Sequence, residues 1–270
     1  MFNSSAPASQ TKVPPGAFKV EFLNHHKTQA AWVTGEGSLV VFARGASAPE
    51  NPLDSAVTRL IFGINTEFGE ERYRLLRRRI FTDGPLSNWD HNLIKVCAKR
   101  VSTGGDFRSA TPDGIRVIDV GHDIKQDATS IRATDHVGKQ FSPDGALSLV
   151  RQLAEAGDLA NSMAKTHLKP RGVASALVGI DGILLGAAVN TNHTCQPRHA
   201  EVNLFLNLIR ASIQQIPAGS TLYTSLKPCR MCASLILALA PSRDVKIIAG
   251  CDDPGTFGRH NLLDGILTIA

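Results

Sequence analysis

No run in the sequence approaches the ~18 consecutive apolar residues that a bilayer-spanning helix needs, so a membrane role is not expected. Cysteine is scarce and odd in number, at five. Cys97, Cys195 and Cys251 are scattered, which argues against a disulfide framework and for a reducing, cytoplasmic setting. Met1 to Pro15 is rich in Ser, Ala, Pro and Gln and lacks both a basic n-region and an apolar h-region. It reads as a tail and not as a signal peptide. Internal repeats and long low-complexity segments are absent. Gly104-Gly105 is not embedded in a phosphate-loop pattern and reads as a turn.

What is present is globular: 43% hydrophobic and 20% charged residues in 270, enough for two domains of ordinary size. The net charge is +5 and the pI about 9.1. The excess is local. Between Arg72 and Arg100 eight Lys or Arg stand against two acids. The spacing over 70–81 predicts an amphipathic helix with Tyr73, Leu76 and Ile80 on one face. Arg72, Arg74, Arg78 and Arg79 there either track phosphates or form a solvated face with Glu70 and Glu71 pairing locally.

Residues 1–141 read as an α+β domain of unrecognised type. Strands are expected at 18–22, 38–42 and 115–120, and helices from a cap at Asp54 and over 93–101. The domain boundary is expected at Ser142, an N-cap with Pro143 at the first helical position. Its helix carries Leu147, Val150 and Leu153, with Gly157 as a candidate interruption. Asp181-Gly182 between two apolar runs predicts a β-hairpin over 173–189. Helix, strand, helix and strand follow to 249, with a candidate last strand at 266–269. That order gives a three-layer α/β/α domain around one sheet over 142–270.

Two short pieces carry chemistry. His199-Ala200-Glu201 opens an apolar-periodic stretch with Leu204, Phe205 and Leu208, so it falls at a helix start. Pro228-Cys229-Arg230-Met231-Cys232 follows a strand at 221–224 and opens a second helix. One His and two Cys at these places suit a zinc site with its fourth position open to water. Helix N-termini favour thiolate over thiol. Glu201 stands two residues from His199, close enough to move a proton without binding the metal. Taken singly, a His-x-Glu is common, and a CxxC also serves redox pairs and structural zinc sites. Both halves occur here in one order with strand and helix signals between them.

The pair of motifs resembles the zinc-dependent cytidine/deoxycytidylate deaminase superfamily, which also holds the tRNA adenosine deaminases. The resemblance covers about residues 143–270. It implies one Zn²⁺ per chain held by His199, Cys229 and Cys232, with Glu201 as the catalytic proton shuttle. It further implies a homodimer. Asn190, at the end of the second hairpin strand, either contacts sugar or base or satisfies a turn. The Ala200 backbone contacts the base in relatives. His193 either lines the pocket or is a solvated loop histidine. Asn203 completes a His-Ala-Glu-x-Asn pattern that looks like deoxycytidylate deaminases. Thr224-Ser225-Leu226-Lys227-Pro228-Cys229 is similar to the Thr-Leu-Glu-Pro-Cys stretch of tRNA adenosine deaminases, with Lys227 in place of Glu. The first expectation is deamination of a base in RNA, such as tRNA, held with help from residues 1–141. The alternatives are a free nucleotide or nucleoside deaminase and a non-catalytic zinc-stabilised module that binds nucleic acid.

Overall fold

The structure, a computed structural model, describes residues 28–36, 39–46, 51–98, 100–103, 116–121, 124, 135–163, 171–240, 242, 244–259 and 262–270. The strand expected at 18–22, the tail and the Gly104-Gly105 turn lie outside the described residues. The chain forms two compact units, Met1–Ile124 and Lys125–Ala270. No helix among the described residues is long and apolar enough to cross a membrane.

The N-terminal unit is α+β. Its sheet contains β1 (Thr28–Thr34), β2 (Leu39–Ala46), β3 (Arg79–Thr82), β4 (Arg100–Thr103) and β5 (Arg116–Asp119), in the order β4-β3-β1-β2-β5. Helix α1 (Ala56–Glu67) packs on β1 and β2. Its cap is Ser55, whose hydroxyl accepts the Thr58 amide, whereas the expected cap Asp54 ends a short 3-10 turn. At Gly45 a Cβ would overlap the Ala56 amide, so only glycine lets β2 pass this close to the start of α1.

Residues 70–81 are not one helix. A 3-10 turn at Gly69–Glu71 leads into a six-residue helix, α2 (Arg72–Arg77), and Arg79 already belongs to β3. Ile80 and Phe81 pair with Val33 and Trp32 of β1, and Trp32 stacks on Phe81. Sheet pairing with a β-branched and an aromatic residue outweighs the helical preference of the arginine run. Tyr73 is accordingly exposed, with the Arg72 guanidinium over its ring, while Leu75 and Leu76 are buried. The helix expected over 93–101 is α3 (Asn88–Cys97). It starts five residues earlier because Ser87 and Asp90 form a capping box.

The C-terminal unit is a three-layer α/β/α sandwich. It runs α4 (Pro143–Met163), β6 (Ala174–Val178), β7 (Leu184–Val189), α5 (Ala200–Arg210), β8 (Thr221–Thr224), α6 (Arg230–Leu239), β9 (Lys246–Ala249) and β10 (Leu267–Ile269). The sheet order is β10-β9-β8-β6-β7. Strands β7, β6 and β8 are antiparallel, and β8, β9 and β10 are parallel. Helix α4 runs through Gly157 without a break. The Asp181-Gly182 hairpin forms, with Gly182 at φ 81°.

Every residue of β6 is buried, as a strand covered on both faces must be. Ala174, Ala176 and Val178 face α4 with Ala146, Leu149 and Val150. The other face meets α5, where Leu204 and Leu208 press on Gly186 so closely that a Cβ there would touch both. Leu177, wholly buried among these layers, would cost about 2–5 kcal/mol on truncation to alanine.

Candidate metal centre and pocket

The site forms where two strands deliver two helix N-termini. From the end of β7 the chain loops through 190–198 into α5, with His199 at the N-cap. Asn203, one turn into α5, ties that loop down. Its amide donates to the Val189 carbonyl (2.8 Å) and Thr191 Oγ1 (3.0 Å), and its oxygen accepts from Arg198 (3.2 Å). From β8, Leu226 to Pro228 lead into α6, with Cys229 at the N-cap. Neither cap residue spends its side chain on the helix amides, which leaves imidazole and thiol available.

His199, Cys229 and Cys232 come together from positions 30 residues apart. Their ligand-type atoms all lie within 4.8 Å of one another. Cys229 Sγ is 3.6 Å from His199 Nδ1 and 3.7 Å from Cys232 Sγ. A hydrogen bond with Cys232, aided by the charge of His199, holds the Cys229 thiol well below its usual range. Burial, followed by the neighbouring Cys229, pushes Cys232 well above it. Burial lowers the basicity of His199, but the Cys229 thiolate and then Glu201 and Asp253 outweigh it, and the net shift is upward. One nitrogen and two closely spaced sulfurs at helix starts form a donor set that fits a zinc ion, with one position left for water.

Glu201 stands beside this cluster and is 3% exposed. Burial, reinforced by the charge of Cys229, raises its pKa, while His199 opposes the rise. The group opens into a cavity of about 200 Å³. His199, Ala200, Glu201 and Cys229 line it. Arg171, Asn190, Asn192, Leu226, Lys227 and Asp253 contribute to the rest of its lining.

Asn190 lines the cavity but spends its side chain on architecture. Its oxygen accepts the Val173 amide and its nitrogen donates to the Arg171 carbonyl, both at 2.8 Å, and to Asn192. It thereby fixes residues 171–173 as a wall. His193 lies outside the lining, and its Nδ1 is buried without a hydrogen-bond partner. Asn203 is 2% exposed and also outside the lining, so the residue behind the deoxycytidylate-like pattern serves the scaffold. Arg171, Asn192 and Asp253 carried no signal in the sequence, because they reach the cavity from loops. Arg72, Arg74, Arg78 and Arg79 belong to the N-terminal unit. Arg74 pairs with Glu71 (3.6 Å) and Arg78 with Glu36 (3.4 Å).

Residues 164–266 match the family model of the Bd3614-like deaminases. The C-terminal unit thus carries a deaminase domain. No curated protein matches the chain. Similar solved structures include a guanine deaminase from Nitrosomonas europaea, with 17% identity, 56% of this chain and 87% of that chain covered, and a TM-score of 0.42. Another comes from work on A-to-I editing by tRNA:A34 deaminases at the wobble position, with 22% identity, 43% and 78% covered and a TM-score of 0.33. A third is the dCMP deaminase of cyanophage S-TIM5, with 17% identity, 48% and 98% covered and a TM-score of 0.32.

Proposed function

We propose that this chain hydrolytically removes an amino group from a nucleobase in RNA, in the manner of a tRNA adenosine deaminase, with zinc held by His199, Cys229 and Cys232. The observation that carries the reading is the buried Glu201, set beside the His and Cys cluster and lining the same cavity. Zinc, when bound, lowers the pKa of a water from ~15.7 towards ~7. Glu201 accepts that water's proton, delivers it to a ring nitrogen and passes a proton on to the departing amine. Water and the amino-bearing base thus become the oxo base and ammonia. A raised pKa suits a carboxyl that must hold a proton for part of the cycle at neutral pH. Asn190 and the Ala200 backbone form the wall against which the base is oriented.

A cavity of this size admits one unpaired ring and not a duplex, so a polymer presents the base flipped or single-stranded. Arg74, Arg78 and Arg79 are exposed and Arg72 half-exposed, which supports contact with RNA phosphates. The surface pairs Arg74–Glu71 and Arg78–Glu36 are worth well under about 1 kcal/mol and are readily exchanged for phosphate. The test is inosine or uridine formation in RNA incubated with wild type and with Glu201→Ala. Conversion by wild type alone supports the reading. Null signals across a broad RNA panel, with ammonia released from free nucleosides or nucleotides, would transfer the activity to small substrates. Alanine at the four arginines should flatten the salt dependence of RNA binding, the log–log slope falling by about 0.7 for each phosphate no longer neutralised.

A further inference from the structure

Lys227 stands two residues before Cys229 and lines the cavity, yet its ammonium is directed elsewhere. Nζ lies 2.9 Å from Asp264 Oδ1 and 3.4 Å from Asp252 Oδ1. Its side chain is 14% exposed, against 65% for Asp252 and 42% for Asp264. A lysine paired with two carboxylates is a poor free cation for a substrate phosphate and a good clamp. What it clamps is the stretch that follows β9.

That stretch carries Asp253 to the cavity, and its other ties run to the same turn. The Lys227 amide donates to the Cys251 carbonyl (2.9 Å), and the Arg230 amide donates to the Phe257 carbonyl (2.8 Å). Arg230 Nε donates to the Arg259 carbonyl (3.2 Å), and Cys251 Sγ to the Ser225 carbonyl (3.2 Å). Within the loop the Gly255 amide donates to Asp253 Oδ1 (2.9 Å), and Gly258 folds in so tightly that a Cβ would overlap Asp253. Asp253 is therefore fixed to its loop, and the loop is fixed to the Ser225–Arg230 segment. Among these ties, the ion pairs of Lys227 are the ones between opposite charges, and changing that one side chain removes both while leaving the backbone bonds in place.

We propose that Lys227 is a positioning residue: its ammonium, gripped by Asp252 and Asp264, latches the loop of residues 251–259 onto the turn that carries Cys229, and so sets Asp253 in the cavity wall. The position that resembles a glutamate site in tRNA adenosine deaminases thus does a different job here. A carboxylate in the wall presents acceptors only, so it favours a ring edge that offers N–H donors. Moving it changes how well the base is held more than how fast it reacts.

The test uses the zinc-loaded full chain and three variants: Lys227→Met, Asp252→Asn with Asp264→Asn, and Lys227→Arg. Hydrogen exchange is read at residues 251–259, together with zinc content and, for whichever base is turned over, kcat and KM. Both disrupting variants should keep zinc, lower protection across 251–259 about tenfold and raise KM several-fold with a smaller change in kcat. Lys227→Arg should restore most of the protection. Unchanged protection in the double aspartate variant overturns the latch, as does failure of arginine to rescue. If Lys227→Met loses zinc or folds poorly, the aspartate variant, which leaves Lys227 and the His199, Cys229 and Cys232 side chains in place, decides. The kinetic arm rests on the deaminase reading and the exchange arm does not, so failure of one is distinguishable from failure of the other.

Discussion

Asp90 in the N-terminal unit and Glu201 in the C-terminal unit are equally hidden, each 3% exposed. Their surroundings differ. Asp90 is met by donors: Ser55 Oγ at 2.5 Å, Ser87 Oγ at 2.7 Å and the Ser87 amide at 3.2 Å. It closes a capping box and joins α3 to the start of α1, with Trp89 adding a bond to Thr58 (2.7 Å). Glu201 has hydrogen bonds with its own amide and Cys232, but burial and the charge of Cys229 outweigh them and push it towards its protonated form, and it lines a cavity. Burial alone is no mark of function. A buried carboxylate supplied with donors is structural; one set against groups of shifted pKa and open to a cavity is poised for chemistry.

The comparison breaks most decisively at the metal residues. His199→Ala or Cys232→Ala should lower zinc affinity by more than about 100-fold, since even outer-shell partners of metal ligands cost about 10–100-fold. Elemental analysis and zinc titration check this. Retention of stoichiometric zinc in both variants would sink the assignment of the cluster.

Glu201→Gln keeps shape and hydrogen-bonding capacity but cannot shuttle a proton. It should keep zinc and lose about 10²–10⁴-fold in kcat. Asp90→Asn is the control. It turns an amide donor towards serine donors, so it should destabilise the fold by about 1–3 kcal/mol and leave zinc content unchanged. Urea unfolding and metal analysis read both variants. Equal catalytic losses would erase the distinction between the two carboxylates. Asn203 belongs with Asp90 in this scheme. Asn203→Leu should cost a similar amount, about 1–3 kcal/mol, by removing a donor to the Val189 carbonyl and an acceptor for Arg198, with no switch in which base is deaminated.

The cluster of His199, Cys229 and Cys232 was legible from sequence because each half of it is local. A His-x-Glu at one helix start and a Cys-x-x-Cys at another need only the helix starts to be placed, and periodicity places them. The Asp181-Gly182 hairpin was legible for the same reason. What was illegible depends on partners far along the chain. Arg79–Thr82 is a strand because Val33 and Trp32, from a distant part of the sequence, pair with Ile80 and Phe81. Asn203 looks like a substrate-class signature until Val189, Thr191 and Arg198 are seen to claim its side chain. Lys227 looks like a misfit in a motif until Asp252 and Asp264 are brought beside it.

The finest division lies between these deep groups and the rim. Lys227 is held above its ordinary pKa of 10.5 first by its hydrogen bond with Asp264 and then by the charges of Asp264 and Asp252, with burial opposing. A raised lysine pKa means that the folded chain binds the proton more tightly than the unfolded one. The resulting stability is fully present below pH 10.5 and is lost as pH rises through the higher folded value. Wild type and Lys227→Met should therefore differ by a constant amount from about pH 6 to about pH 9.5, under about 1 kcal/mol for so exposed a set of partners, and converge above that range. Denaturant midpoints across the alkaline series measure it. A gap that persists undiminished to about pH 11.5 would mean that the lysine's aliphatic stem, packed in the cavity wall, supplies the stability and the charge does not. The rim would then resemble Asp90's surroundings in being held by fixed contacts, and its sensitivity to charge would disappear.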